Sequence, residues 1–244
     1  QGASLGRKTM TVRVGSLQWA GIGGVGAVTS FSDSFNRASG KGENQNWFSS
    51  TWWSGGLGPN RKTEFIIGAT AGSQGLISNN AGINNPTIDS RQFFMCAPLF
   101  TSLNGLSQSA KVVLVEEGNP TAFVESGLVV CCNASGNVTA DVSAYVLMLA
   151  NAQSFVQRFT AGVETGMIVP AARPAMPVTY ELRAVISALD VTLTLLINDV
   201  VDTVVVDATA SRVSLGSVGF FGHETMSGGL ATRHGFRDFV GRRL

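Results

Sequence analysis

Charge is scarce in this chain. Seventeen Lys and Arg and sixteen Asp and Glu make up 14% of 244 residues, against about 25% in an average soluble domain. The two signs nearly cancel, and basic residues gather only as Arg7-Lys8, Arg61-Lys62 and Arg242-Arg243. A nucleic-acid binder carries a clustered basic excess, so no nucleic acid is expected as a partner. No apolar run reaches the roughly 18 residues of a membrane span, and no membrane partner is expected. The first residues lack the charged, apolar and small-residue zones of a signal peptide, so none is expected within this sequence. Histidine is limited to His223 and His234. Cysteine is limited to Cys96, Cys131 and Cys132, an odd count that does not suit a disulfide framework. Neighbours on a strand point to opposite faces, so Cys131 and Cys132 cannot both face one core. Buried free thiols are expected, with one bridge from Cys96 to Cys131 or Cys132 as the alternative.

The apolar share is ordinary at 44%, so Gly, Ser, Thr, Asn and Ala take the place of the missing charge. A freely diffusing monomer generally needs a more charged surface. A weakly charged one suits permanent packing against copies of itself or a larger body. At 25.5 kDa the chain fits one large β domain, which at this size buries roughly 70% of its unfolded surface.

The pattern along the chain is β. Thr63–Ile67, Gln92–Cys96, Lys111–Val115 and Gly127–Cys131 are short apolar runs bounded by Gly, Asn, Pro or Ser, as strands are. Val142–Leu149 and Phe155–Thr160 add two more; the helix formers of Ala140–Gln153 fit a strand equally well. Tyr180, Leu182, Ala184 and Ile186 alternate with Thr179, Glu181 and Arg183, and Val191, Leu193, Leu195 and Ile197 repeat the period. Asn198-Asp199 then predicts a tight hairpin turn, with Val200–Val206 as the returning strand. Gly216–Gly222 and Phe236–Val240 close the series. Ser73–Asp89 reads as a long polar surface loop, and Pro170–Pro177 as a connector. Residues 1–30 read as an arm: Thr9-Met10-Thr11-Val12-Arg13-Val14 alternates like one strand, and Gly21–Gly26 is too glycine-rich for stable structure.

Two bookends carry a resemblance. Asp33-Ser34-Phe35-Asn36-Arg37-Ala38-Ser39-Gly40 followed by Trp47, and Gly235-Phe236-Arg237-Asp238-Phe239-Val240 near the end, resemble the opening and closing strands of concanavalin A-like (laminin-G-like) jelly rolls, of the kind found in phage structural proteins. The resemblance implies an all-β antiparallel β-sandwich, with the extended N-terminal arm at 1–30 and the sandwich at 31–244. Such folds host enzymes and inert binding modules alike.

The catalytic patterns are missing. Gly21-Ile22-Gly23-Gly24-Val25-Gly26 matches a dinucleotide fingerprint literally, but neither a βαβ pattern nor a helix start surrounds it. Retaining glycoside hydrolysis needs two carboxyls about 5–5.5 Å apart. The glucanases of this fold resemble Glu-x-Asp-x-x-Glu there, and no such run occurs here. Glu116-Glu117 diverge, Glu181 has no second acid on its face, and Asp199, Asp202 and Asp207 are turn residues. His223 and His234 lack a nucleophile elbow and make a weak metal set. Asn79, Asn80, Asn84, Asn85 and Asp89 offer oxygens for calcium without ordered spacing. Asn133-Ala134-Ser135 and Asn137-Val138-Thr139 match glycosylation acceptors that a turn sequence produces readily by chance.

The expectation is therefore a non-enzymatic structural or adhesion protein of a phage virion, a capsid decoration (cement) protein, with no catalytic residue, metal or cofactor. Its expected partners are copies of itself, in a homo-oligomer such as a trimer, and a major capsid or tail protein, with glycans as a further contact. Trp47, Trp52 and Trp53 are the candidates for a carbohydrate or interface surface, since exposed aromatics stack on sugars or anchor interfaces. One of Trp52 and Trp53 should face inward. The alternative is a lectin-like module of a tail or secreted protein; a jelly-roll glucanase is the third reading.

Overall fold

The computed structural model describes residues 28–36, 40–41, 47–54, 63–68, 74–79, 89–96, 99, 103–117, 124–133, 142–150, 153–225 and 233–244. Of 40–41, 48–54, 63–68, 74–79, 89–95, 116–117, 124–125, 150, 169–171, 223–225 and 233 the backbone alone is described. These residues form sixteen strands. The first eight are β1 (Ser30–Asp33), β2 (Gly40–Lys41), β3 (Trp47–Ser54), β4 (Thr63–Gly68), β5 (Gln74–Asn79), β6 (Asp89–Cys96), β7 (Gln108–Glu117) and β8 (Val124–Asn133). The rest are β9 (Ser143–Ala150), β10 (Gln153–Thr160), β11 (Val163–Ala172), β12 (Val178–Ile186), β13 (Val191–Ile197), β14 (Val200–Asp207), β15 (Ser217–Thr225) and β16 (Arg233–Arg243).

They build two antiparallel sheets. A nine-stranded sheet runs β14-β13-β12-β7-β16-β5-β4-β2, with β1 also on β16, and a seven-stranded sheet runs β11-β10-β9-β8-β15-β6-β3. The two bookends of the sequence meet directly, because Asp33 pairs with Phe239 and Ser30 with Arg242. This is the expected all-β sandwich. The pairing begins at Ser30, and the Thr29 carbonyl accepts the Arg243 N–H at 2.7 Å. Residues 1–27, including the Thr9–Val14 segment and the Gly21–Gly26 run, lie outside the described residues.

The core lies between the sheets. Trp47, Phe35, Phe220, Phe236 and Phe239 are fully buried, and the Trp47 indole meets the Phe239 ring edge-on at 4.8 Å and 76°. The hairpin behaves as its sequence predicts: Tyr180, Leu182, Ala184, Val191, Leu193 and Leu195 are buried. Asn198 and Asp199 both take positive φ, 51° and 64°, the conformation a two-residue primed turn requires. The pairing with β14 shifts register between Leu195 and Leu196, with Asp202 as the extra residue on β14; Leu196 is also buried, and Ile197 packs half-buried against the core.

Two expectations are corrected. Ser73–Asp89 contains β5, hydrogen-bonded to β4 on one side and β16 on the other. Its Leu76 and Ile77 are too few to show a period, and neighbours on both sides supply the ladder. Pro170–Pro177 is only partly a connector, since β11 continues to Ala172. A strand can hold Pro170 because β11 is the outer strand of its sheet, where one missing N–H goes unnoticed.

All three cysteines are buried free thiols. Cys131 belongs to the main core and Cys132 to a second cluster with Val129, Val146, Met148, Phe159 and Phe221. The two do point to opposite faces, and both faces are covered there. Cys131 has φ 52° at a bulge, where its N–H donates to the buried Gln108 Oε1 at 3.1 Å. Burial pushes the Cys96 and Cys131 thiols up to about 12, which leaves them inert at neutral pH. Gly216 is fixed by close approach: a Cβ there would lie 2.2 Å from the Cys132 carbonyl, and its φ is +113°.

Candidate binding surfaces

The opening motif is structural. Asp33 is buried, and its Oδ1 accepts the Phe35 N–H at 2.8 Å while its Oδ2 accepts the Trp47 indole N–H at 3.0 Å. That Asx turn holds Phe35 at φ 58° and drops its ring into the core. Trp47 is 1% exposed, ringed by Phe31, Phe35, Phe220 and Phe239. The expectation that Trp47 serves a sugar or an interface is corrected. Its N–H is already spent on Asp33, and its faces are spent on four phenylalanines.

Trp52 and Trp53 are known by backbone position only. Register places Trp52 in a row with Gln92, Gly222 and Ser126. Ser126 belongs to the interior, since its hydroxyl hydrogen-bonds Nδ1 of His234 in the opposite sheet. Trp53 falls in the next row, with Arg91, His223 and Glu125. That row crosses β3, β6, β15 and β8. Spacing along the chain could not show this row, because its members lie 34 to 170 residues apart in sequence.

The titratable groups that are buried serve the fold. His234 sits against Ser126, and burial together with the nearby Arg173 charge lowers its pKa to about 3. It stays neutral at any ordinary pH. Glu181, on the polar phase of the alternating strand, is buried. Arg183 grips its two oxygens at 2.9 and 3.0 Å, and Arg242 adds a bond at 3.2 Å. Burial alone would raise its pKa, but these bonds hold it below the usual carboxylate range. Asp207 is likewise held low against the opposing pull of burial. It accepts bonds from Tyr145 OH (2.7 Å), Arg158 Nη1 (2.9 Å) and both the N–H and hydroxyl of Thr209 (3.1 and 2.6 Å). Every oxygen is spoken for, so neither acid is available to a substrate. Lys111 Nζ bonds Asp199 beside the hairpin turn.

A cavity of about 240 Å³ opens beside this network, lined by Asn133, Ser143, Thr160, Ser211, Arg212 and Leu215 among others. It is smaller than the roughly 300–1,000 Å³ of small-molecule sites, and Arg212 is tied to the Thr209 and Ala188 carbonyls. Among the described residues no group of His, Cys, Asp and Glu could hold a metal. The calcium-loop candidates between Asn79 and Asp89 lie outside the described residues, as do 134–140 of the glycosylation segment.

The most unusual surface is the edge that β14 gives the nine-stranded sheet among the described residues. β14 ends that sheet and exposes Val200 (68%), Val201 (54%), Val204 (54%) and Val206 (54%). Edge strands usually guard unpaired backbone groups with charge, proline or shortness. Here the chemistry is β-branched and apolar, interrupted by Asp202.

No protein-family model matches the sequence, and no curated protein sequence matches it. Solved structures do. An endo-1,3-beta-glucanase from Streptomyces sioyaensis is similar over 88% of this chain and 96% of its own, with a TM-score of 0.56 and 10% identity. A Bacillus subtilis protein of unknown function with a galectin-like fold is similar over 87% of this chain and 94% of its own, with a TM-score of 0.53 and 10% identity. At that identity the likeness is one of fold, and a fold carries many functions. The chain is a concanavalin A-like β-sandwich.

Proposed function

We propose that this protein is a non-enzymatic structural module that assembles with copies of itself on the surface of a larger particle, as a capsid decoration (cement) protein of a phage does. The observation that carries this reading is the exposed valine edge of β14. Joined to a surface with few charges, it suits a strand that meets another chain. The mechanism is adhesive: backbone groups of the edge pair with a neighbour, and the valines leave water at about 25 cal/mol per Å². A major capsid or tail protein would supply the remaining contact, and the setting would be the virion.

A carbohydrate-binding module is the second reading, favoured by the row of Trp53, Arg91, His223 and Glu125. It ranks lower because the described residues beside that row, Val129, Val146, Met148 and Phe221, are apolar and buried. An open sugar platform would expose its face. Hydrolase chemistry ranks third, since Glu181 and Asp207 are saturated by their own partners.

Light scattering across a concentration series tests the first reading. A mass that is a multiple of 25.5 kDa supports it. A monomer at every concentration, with clear signals on a glycan array, would replace it with the second.

A further inference from the structure

We propose that the β14 edge is filled by the segment Thr9–Val14 of a neighbouring copy, added as an extra strand. This rests on the assembly reading above and names its joint. Thr9-Met10-Thr11-Val12-Arg13-Val14 alternates with the strand period of two, and its Met10, Val12 and Val14 match the apolar character of Val200, Val201, Val204 and Val206. Charge selects this partner over a second β14. The edge carries the exposed Asp202, while Asp199 in the preceding turn is held by Lys111, so two edges side by side would bring two Asp202 carboxylates together. The arm is basic, with Arg7, Lys8 and Arg13 flanking the apolar positions, and opposite charges facing each other across a strand pair favour that pairing.

The chain between the segment and the sandwich gives it reach. Residues 15–28 separate the segment from Thr29, which is anchored to Arg243. Fourteen residues reach up to about 46 Å, and the Gly21–Gly26 run imposes no direction on them. An arm that fills a different surface from its own origin can make a heterologous joint, which gives a ring where the rotation between copies closes. That agrees with a cyclic homo-oligomer.

The test uses the full chain with Val12→Pro, which removes a backbone donor that the new ladder needs, and with the charge pair Arg13→Glu and Asp202→Arg. The readouts are mass by light scattering and hydrogen exchange of the edge-facing amides of β14. The unaltered protein should be an oligomer with those amides protected. Val12→Pro should give a monomer in which they exchange freely. Arg13→Glu should weaken assembly about five- to tenfold, and the double variant should restore it. An oligomer with β14 exchanging freely overturns this joint and leaves the assembly reading intact. A monomer with β14 protected means that the segment docks on its own subunit, which also overturns it. A monomer with β14 exposed defeats both proposals.

Discussion

Trp47 and the valines of β14 have exchanged the places their chemistry suggests. The tryptophan, the residue type most used to anchor partners, is sealed inside with its N–H on Asp33. The valines, the residue type most used to fill cores, stand more than half exposed along an edge. The difference shows that position in the sheet outranks residue type. β3 begins against the aromatic cluster under the closing strand, so its first residue has no route to water. β14 is the last strand of its sheet among the described residues, so Val200, Val201, Val204 and Val206 stay more than half exposed while Val205 and Asp207 turn inward.

The strongest way to break this contrast is Trp47→Ala. It should cost about 3–5 kcal/mol, the range for a large buried aromatic, read as a lower urea midpoint with an unchanged slope. A loss below about 1 kcal/mol would mean that Trp47 is not the keystone its contacts make it. Asp33→Ala should cost about 1–3 kcal/mol, because it strands the Phe35 N–H and the Trp47 indole N–H in the interior. A neutral result would remove the structural meaning given to the opening motif.

Acid provides an intermediate test on the interior side. His234 has its folded pKa depressed to about 3, while the unfolded chain protonates near 6.5. The native state therefore keeps its full stability above about pH 6.5. Below that it loses about 1.4 kcal/mol per pH unit as the unfolded state takes up the proton. Glu181, also depressed, adds its loss only below about pH 4.3, the unfolded carboxylate value. His234→Gln should flatten the stability profile between pH 6 and 4.5, followed by chemical denaturation at each pH. An unchanged slope there would mean that another group drives it.

The smallest effect on stability belongs to the exposed side. Val204→Thr should change unfolding free energy by less than about 0.5 kcal/mol, while reducing assembled mass at a given concentration. A large stability loss would show that the edge is already covered within its own subunit.

Some of this was legible in order along the chain. Period-two stretches and Asn198-Asp199 marked the β12-β13-β14 hairpins because alternation and positive φ are local properties. The bookends at Asp33 and Phe239 were legible as a pair, although their meeting was not. β5 escaped notice because Gln74-Gly75-Leu76-Ile77-Ser78-Asn79 has almost no period of its own. The end of β11 escaped because Pro170 opened what read as a connector, and its place at a sheet edge is what makes that proline harmless. The ion-pair cage of Glu181 was not legible because Arg242, which completes it, lies 61 residues away.

By itself the sequence determined the fold class, the tight hairpin turn and the absence of a catalytic acid run. These depend on periodicity, turn chemistry and spacing, all of which act over a few residues. The tertiary structure alone decided that Trp47 is interior, that Trp53, Arg91, His223 and Glu125 share a row, and that the valines of β14 face outward. Each of those depends on which strands become neighbours, and that is settled by long-range pairing that no local window contains.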